Sequence, residues 1–266
     1  MQNIRQPAVA GLFYPADPEI LNDMIEQDLK QTSTSSVTSS PKVLIVPHAG
    51  YIYSGPIAAS AFVLLKQSQH LIKRVVIIGP SHRVGFRGVA ISSADYFEFP
   101  LGRIPIDKVA QAKLLDIVGV HIIDEAHAAE HSLEVQLPFL QYLLDEFSIV
   151  PIVAGDTSPE LIADVIKILW GGPETLFIIS SDLSHYHDYQ TAQRLDQITS
   201  QAILELDVNT IDSQHACGCV GIKGLLTFVQ NHPMKAAIID LRNSGDTAGS
   251  KDSVVGYGAY SFTEVA

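Results

Sequence analysis

The sequence contains only two cysteines, Cys217 and Cys219, which are separated by a single residue. This excludes a disulfide framework as the basis of the fold and predicts a reducing, cytoplasmic location. Long hydrophobic runs are absent as well, because no apolar stretch approaches the roughly 18 residues needed to cross a bilayer. The first twenty residues carry prolines at positions 7, 15 and 18, so we expect no signal peptide.

Positive charge is also scarce. The chain has 17 Lys and Arg against 29 Asp and Glu, which gives a formal net charge of −12. Broad electrostatic attraction to nucleic acid or to an anionic membrane is therefore not expected. What the 266 residues do contain is 47% hydrophobic and only 17% charged side chains, which is enough to build a large core. We expect a globular protein that binds neither nucleic acid nor membranes.

The chain is expected to form one domain over residues 1–266. The polar stretch QTSTSSVTSSP at 31–41 is the one compositionally biased segment, and we interpret it as a flexible Ser/Thr-rich loop after an opening helix at about 17–30. Further helices are predicted at 56–66, 107–118, 133–145, 158–169, 188–206 and 219–231. Strands are predicted at 43–47, 74–79, 88–92, 147–154, 175–181, 235–241 and 254–262.

Several of these strands are apolar on consecutive residues, as strands buried on both faces are. Their alternation with helices predicts an α/β fold with a mainly parallel or mixed central sheet flanked by helices. In the helix predicted at 188–206, small and apolar residues recur at three- and four-residue spacing and predict a single buried stripe. These residues are Ala192, Leu195, Ile198, Ala202, Ile203 and Leu206.

Three apolar runs are each followed closely by a histidine. They are VLIVPHAG at 43–50, VVIIGPSH at 75–82 and LFIISSDLSH at 176–185. Ligands of open α/β sheets bind beyond the carboxyl ends of the strands, so His48, His82, Asp182 and His185 are predicted to share one crevice. Converging imidazoles suit metal binding or proton transfer. For any one of them alone, the alternative is a loop histidine bonded to nearby backbone.

A second metal motif competes with this one. The segment His127-Ala-Ala-Glu130-His131 fits the H-x-x-E-H pattern of inverted zinc peptidases, in which two histidines of one helical face hold zinc and the glutamate activates water. Ser132 is suited to capping a helix that begins there, and Pro138 would disturb one running through the segment. An ordinary acidic loop is the alternative.

The thiols Cys217 and Cys219 precede a predicted helix. A thiol near a helix amino terminus has a lowered pKa, which makes it a better ligand and nucleophile. A pair of small buried residues is the alternative. Because an extended C-G-C segment would direct both thiols to one side and a helical turn would separate them, a helix beginning here predicts that they diverge.

Several motifs, in order along nearly the whole chain, resemble the Memo family. They are AGLFYPAD, VPHAGYIYSGPIAASAF, GPSH, EHSLEVQLPFL, ISSDLSH, ACGCVGI and VVGYGAYSF. Prokaryotic members of that family are known as protein B of the AmmeMemoRadiSam system. The resemblance implies a fold similar to that of the class III extradiol dioxygenases, which are non-haem iron enzymes. It also implies association with a radical S-adenosylmethionine protein and other components of that system.

The resemblance also implies a set of site residues. Position by position, the family's metal-binding histidines correspond to His48 and His82, and its cysteine ligand corresponds to Cys217. Asp182 and His185 match further pocket residues, His185 at the place of an acid/base histidine. We add five residues as contacts to a substrate or partner: Phe13, Tyr51, Tyr53, Glu130 and His131.

The cysteine separates this set from the dioxygenases, which hold ferrous iron with two histidines and a carboxylate. A thiolate favours softer ions such as copper(I), so the expected cofactor is iron(II) or copper. Three functions follow as hypotheses. The first is redox or dioxygenase-like chemistry with His185 and Asp182 as catalytic residues. The second is a non-catalytic module that holds a small molecule, peptide or protein partner in the crevice. The third is a zinc-dependent hydrolase.

Overall fold

The computed structural model describes residues 2–32 and 40–265. Within them, the strands are β1 (Ile4–Arg5), β2 (Val43–Val46), β3 (Arg74–Pro80), β4 (Val89–Ile91), β5 (Tyr96–Phe99), β6 (Gly102–Pro105), β7 (Val120–Ile122), β8 (Ser148–Ala154), β9 (Thr175–Ser180), β10 (His185–His187), β11 (Met234–Asn243) and β12 (Val254–Glu264). The α-helices are α1 (Pro18–Gln31), α2 (Tyr51–Phe62), α3 (Lys108–Leu114), α4 (Asp124–Ala128), α5 (Leu137–Leu143), α6 (Pro159–Leu169), α7 (Tyr189–Glu205) and α8 (Cys219–Val229).

A mixed central sheet organises the molecule. Its strand order is β10-β12-β2-β9-β3-β8-β4-β7, and β11 pairs with β12. The four strands β2, β9, β3 and β8 are mutually parallel, whereas β12 and β4 join them antiparallel. A small second sheet has the order β1-β5-β6. The predicted α/β fold with a mixed sheet is therefore confirmed, and the carboxyl ends of four parallel strands meet at one edge.

The central strands are buried on both faces. In β2, Leu44 and Val46 belong to one hydrophobic core and Val43 and Ile45 to the other, as period-two side-chain alternation requires. The first core contains buried residues of α1, α2 and α5, and the second contains those of α3, α6 and α8. Consecutive apolar residues in these strands thus serve two cores, which explains why the runs lack a polar face.

Helix α2 begins five residues earlier than predicted. The carbonyl of Gly50 accepts the N–H groups of Tyr53 and Ser54, so the first turn closes well before Pro56, which lies inside the helix. The sequence had suggested Pro56 as the first residue because proline suits a helix start. The earlier start matters for the site, since it fixes the backbone immediately after His48.

The stripe predicted on α7 is only partly correct. Ala192, Ala202 and Ile203 are buried, but Ile198 is 49% exposed. The buried face includes Asp196 instead, whose Oδ1 accepts the N–H of Ser184. Helical spacing identified the helix but missed a polar residue on its inner face, because that residue is satisfied by the backbone of Ser184, which lies outside the helix.

Short elements account for most of the differences from the sequence prediction. Strands β1, β5, β6, β7 and β10 and helix α4 have two to five residues each, too few to show a period. Most of the predicted loop at 31–41 lies outside the described residues. Among the residues that are described, no helix is long and apolar enough to cross a membrane.

Candidate metal centre

Three neighbouring strands deliver polar side chains to one edge of the sheet. Strands β2, β9 and β3 are adjacent and parallel. His48, Asp182 and His82 each follow the end of one of them by two residues. These side chains come from distant parts of the chain but line the same cavity of about 880 Å³. The sequence-based expectation of a shared crevice matches this arrangement.

The hydrogen bonds around His48 fix its tautomer. Gln136 donates from Nε2 to Ser180 Oγ at 2.8 Å, and Ser180 Oγ donates to the Ser132 carbonyl at 2.5 Å. Ser180 Oγ has therefore used its proton and can only accept from His48 Nδ1, which lies 2.9 Å away. Burial holds the pKa of His48 well below its usual value. The ring is thus neutral, with its lone pair on Nε2.

His82 is fixed in the same way by Glu130. The buried carboxylate accepts the backbone N–H groups of His82, His131 and Ser132 at 2.6 to 2.9 Å. Burial alone would raise the pKa of Glu130, but these bonds and the contact with His82 outweigh it and lower the pKa to about 2. Because Glu130 is ionised and only accepts, His82 Nδ1, 2.9 Å away, donates to it. The lone pair of a neutral His82 ring then lies on Nε2.

His131 completes a cluster of three imidazoles. One ring nitrogen from each of His48, His82 and His131 lies within 4.8 Å of the others. Burial lowers the pKa of His131 to about 4, so its ring is neutral. Its Nδ1 is buried and makes no hydrogen bond, although Glu130 Oε1 is 3.3 Å away. Phe13 packs on the ring with centroids 4.7 Å apart.

Cys217 approaches the cluster through His48. Its Sγ lies 3.2 Å from His48 Nε2, and burial raises the pKa of the thiol, so the protonated sulfur donates to that lone pair. Cys219 is the first residue of α8 and packs against the second core. Only Cys217 of the two lines the large cavity. The sequence proposed Cys217 as the third ligand, whereas the structure brings His131 into that position and leaves Cys217 adjacent.

Asp182 and His185 also line the cavity but are held by different groups. Asp182 Oδ1 accepts the His48 N–H at 2.7 Å, and burial raises the pKa of this carboxyl to about 6. His185 Nδ1 lies 2.8 Å from the Leu183 carbonyl, which can only accept. His185 therefore carries a proton on Nδ1, with Nε2 directed elsewhere. The backbone carbonyl of Leu183, rather than Asp182, orients the His185 ring.

The donor set fits a transition metal. Neutral imidazole nitrogens and a cysteine sulfur are ligands that iron, copper and zinc accept. His82 donates its second nitrogen to a carboxylate and His48 to a hydroxyl, the outer contacts that metal-binding histidines usually make. The unpartnered Nδ1 of His131 is a buried polar atom that the protein alone does not satisfy.

The H-x-x-E-H segment does not form a zinc-peptidase helix. Helix α4 ends at Ala128, so His127 and His131 do not share a helical face. His127 is buried, and its Nε2 lies 3.2 Å from the Ala90 carbonyl, away from the imidazole cluster. The prediction of a zinc hydrolase built on His127, Glu130 and His131 is therefore wrong. Its sequence signal nevertheless marked two residues of the centre that forms.

The aromatic residues proposed for ligand contact divide into two groups. Phe13 and Tyr53 line the cavity. Tyr51 does not contact it, because its hydroxyl donates to the Val135 carbonyl at 2.7 Å and its ring packs against Phe139 in the first core. Glu130 lies behind His82 rather than in the cavity wall. Tyr51 thus supports the fold and Glu130 supports a histidine.

Sequence reasoning missed two consecutive residues of the cavity wall. Tyr186 and His187 follow His185, and all three line the cavity. Alternation would point Tyr186 away, but the pairing register shifts between His185 and His187 and Tyr186 has a φ of 61°. Such a left-handed residue is strained for a tyrosine. The H-Y-H spacing could have identified His187, because alternate residues of a strand share a face. No feature of the sequence predicts the bulge between His185 and His187.

Another part of the cavity lining is rich in hydroxyl groups. It includes Ser213, Gln214, Ser244, Ser250 and Ser253. Serines are common in surface loops of any function, so composition gave no reason to select them. The cavity lining therefore combines imidazoles and aromatic rings with neutral hydrogen-bonding groups.

Comparison with known proteins supports the resemblance noted in the sequence. The profile described as "Memo-like protein" matches residues 5–261. A "MEMO1 family protein" of Aquifex aeolicus is 36% identical over 265 residues, covering 96% of this chain and 97% of the relative. One from Sulfolobus acidocaldarius is 36% identical over 277 residues, with 96% and 97% coverage. Given this match over nearly its whole length, the chain belongs to the Memo-like family.

Proposed function

We propose that His48, His82 and His131, with Cys217 beside them, hold iron or copper, and that the cavity carries out redox or dioxygenase-like chemistry on a small molecule. The observation that carries this proposal is the convergence of three imidazole nitrogens within 4.8 Å of one another in the wall of a large cavity. A bound iron or copper ion would supply one-electron and oxygen chemistry. The softer copper(I) is favoured where the sulfur of Cys217 takes part.

In this proposal the protein side chains bind the ligand and move a proton. His185 holds its own proton on Nδ1 against the Leu183 carbonyl, so Nε2 is free to accept a proton from a bound ligand. Asp182 anchors the backbone of His48 and changes charge near pH 6, close to neutrality. Phe13 and Tyr53 supply flat apolar surface on the cavity wall.

Metal-loaded crystals test the location of the ion. We expect anomalous scattering at the iron or copper edge to place it between the rings of His48, His82 and His131. An ion elsewhere, or no ion after anaerobic loading with both metals, would contradict the proposal. Chemistry is tested separately with a panel of catechols, iron(II) and oxygen. Ring-cleaved product that disappears in His185→Ala would support catalysis.

A second candidate function is a binding module that holds a peptide or a protein partner in the same cavity. Large exposed apolar residues favour it: Leu12 is 80% exposed and precedes the cavity residue Phe13, and Tyr186, itself in the cavity wall, is 78% exposed. For the partner we propose a radical S-adenosylmethionine protein and other AmmeMemoRadiSam components, as the family resemblance implies. Capture of the purified partner, lost in a Leu12→Ser, Tyr186→Ser double variant, together with no turnover of catechols, would favour this function.

We propose the cytoplasm as the location. Both cysteines are free, and Cys217 lies next to the imidazole cluster, where oxidation would destroy a sulfur ligand. A reducing compartment protects such a group. Cell fractionation tests this location, and recovery of the protein mainly from an oxidising compartment would contradict it.

A further inference from the structure

Arg5 is far in sequence from the metal centre, but it binds the segment that carries Glu130 and His131. The guanidinium donates from Nε to the His127 carbonyl at 3.0 Å and from Nη2 to the Glu130 carbonyl at 2.7 Å. Its Nη1 forms an ion pair with Glu134. All three acceptors belong to the segment 127–134, which includes His131. Arg5 is 8% exposed and lies in β1.

The segment 127–134 has little regular structure of its own. It runs from the end of α4 at Ala128 to a 3-10 turn at Glu134–Gln136. The Glu130 carbonyl is held by Arg5, and the His127 carbonyl accepts from Arg5 and, at 3.4 Å, from the Glu130 N–H. Glu134 in turn accepts the N–H groups of Ala8 and Val9 at 2.8 and 3.0 Å. The amino-terminal segment and the 127–134 segment therefore hold each other in place.

We propose that Arg5 is a positioning residue of the metal centre. By fixing the backbone at His127 and Glu130, Arg5 determines the position of the Glu130 carboxylate beside His82. It also determines the position of the His131 ring beside His48. An arginine suits this role because three different nitrogens of its planar fork each reach one acceptor, whereas a lysine ammonium donates from a single point. This inference rests on the proposed metal site.

Lys42 provides a matched control at the other end of the sheet. It is 7% exposed, and its Nζ donates to the carbonyls of Trp170, Gly172 and Thr175 at 2.5 to 2.8 Å. Like Arg5, it is a buried cation with three oxygen acceptors, but it precedes β2, whereas His48 follows that strand. Substitution of Lys42 therefore perturbs stability without touching the segment 127–134.

The first experiment compares metal affinity in Arg5→Lys, Lys42→Met and wild type, using competition of copper(I) and iron(II) with a chromophoric chelator. Unfolding by denaturant is measured on the same samples. We expect Arg5→Lys to lower metal affinity by about tenfold, the lower range for losing an outer contact of a metal ligand. Lys42→Met should lower stability at least as much and leave affinity within about twofold of wild type. Unchanged affinity in Arg5→Lys, or an equal loss in Lys42→Met, would overturn the inference.

A second measurement requires no metal. The amides of His131 and Ser132 donate to the Glu130 carboxylate, so their hydrogen exchange reports whether the segment is held. We expect faster exchange at both amides in Arg5→Lys and in Glu134→Gln. The second variant keeps the contacts of Arg5 with the His127 and Glu130 carbonyls. Exchange at the β3 amides should be unchanged in both variants. Unaltered exchange in both variants would overturn the role of Arg5. Failure of wild type to bind metal would instead count against the proposed function.

Discussion

Buried polar side chains have different hydrogen-bond partners at the two ends of the parallel strands. At the amino end, the ammonium of Lys42 is satisfied by three backbone carbonyls, and Arg74 pairs with Asp107 at 2.7 Å. At the carboxyl end, Nδ1 of His48 and Nδ1 of His82 each bond to the protein beside a cavity, and Nε2 of His48 meets the thiol of Cys217. Both ends bury polar side chains, but the imidazole and thiol groups at the carboxyl end are of the kind that transition metals bind.

This difference separates buried polar groups that stabilise the fold from buried polar groups that are placed to bind a ligand. A saturated group such as Lys42 contributes to stability, and its removal leaves carbonyls unsatisfied. The imidazoles of the carboxyl end instead make outer contacts of the kind that orient metal-binding histidines. The comparison therefore predicts that substitutions at the two ends change different measurements.

The largest expected effect is the loss of metal affinity in His48→Ala or His82→Ala. Each removes a ligand whose second nitrogen is already oriented, so affinity should fall by about 1,000-fold or more, since losing an outer contact alone costs roughly 10- to 100-fold. Competition with a chelator measures it. His187→Ala, which alters the cavity wall outside the imidazole cluster, is the control. Wild-type affinity in either variant would remove the distinction between the two ends.

Much of the fold could be predicted because its strands serve two cores. Consecutive apolar residues in β2, β3 and β9 announced strands buried on both faces, and their order with the helices gave the α/β fold. Strand β10 could not be predicted, because its three residues His185–His187 are polar or aromatic and owe their conformation to pairing with β12. Pairing of that kind depends on residues about seventy positions away, which no local pattern records.

The site was predictable in location more than in detail. Strand ends identified His48, His82 and Asp182, because parallel strands bring their carboxyl ends together. The role of Glu130 was not accessible, since it depends on three backbone N–H groups that an irregular segment aims at one carboxylate. Tyr51 and Tyr53 are equally aromatic in the sequence, and only the start of α2 decides which one faces the cavity.

A second prediction sharpens the comparison, because not every buried polar group at the carboxyl end is functional. Burial raises the pKa of Asp196 to about 6 from 3.8, so this carboxyl contributes stability below about pH 4 that is lost as pH rises through 6. Asp196→Asn keeps an oxygen for the Ser184 N–H and removes this titration. Relative to wild type, its unfolding free energy should rise by at most about 3 kcal/mol between pH 4 and 8.

Denaturant unfolding at both pH values measures this change, and metal affinity should remain as in wild type. A pH-independent difference between Asp196→Asn and wild type would mean that the carboxyl does not titrate as its burial indicates. Reduced metal affinity would mean that Asp196 supports the metal centre and does not only stabilise the fold.

A third prediction concerns the carboxylate behind His82. Glu130→Gln removes the full negative charge of the carboxylate that accepts from three backbone N–H groups and from the His82 imidazole. We expect metal affinity to fall by about 10- to 100-fold, the range for outer contacts of metal ligands. Glu98→Gln, on the surface where Glu98 pairs with Arg103, should have no effect on the same titration. Equal affinities in the two variants would show that the charge of Glu130 does not matter.

The smallest expected effect distinguishes the two thiols. Cys217 Sγ lies 3.2 Å from His48 Nε2, whereas Cys219 packs against the second core. Cys217→Ser keeps the size of the side chain and replaces a soft sulfur by a hard oxygen, so copper(I) affinity should fall by about tenfold, or 1.4 kcal/mol, and iron(II) affinity by less. Cys219→Ser should leave both unchanged. Chelator competition with each metal measures the four values. Equal losses in the two variants would mean that both sulfurs bind, and no loss in either would leave the centre to histidines alone, with Cys217 serving only as a hydrogen-bond donor to His48.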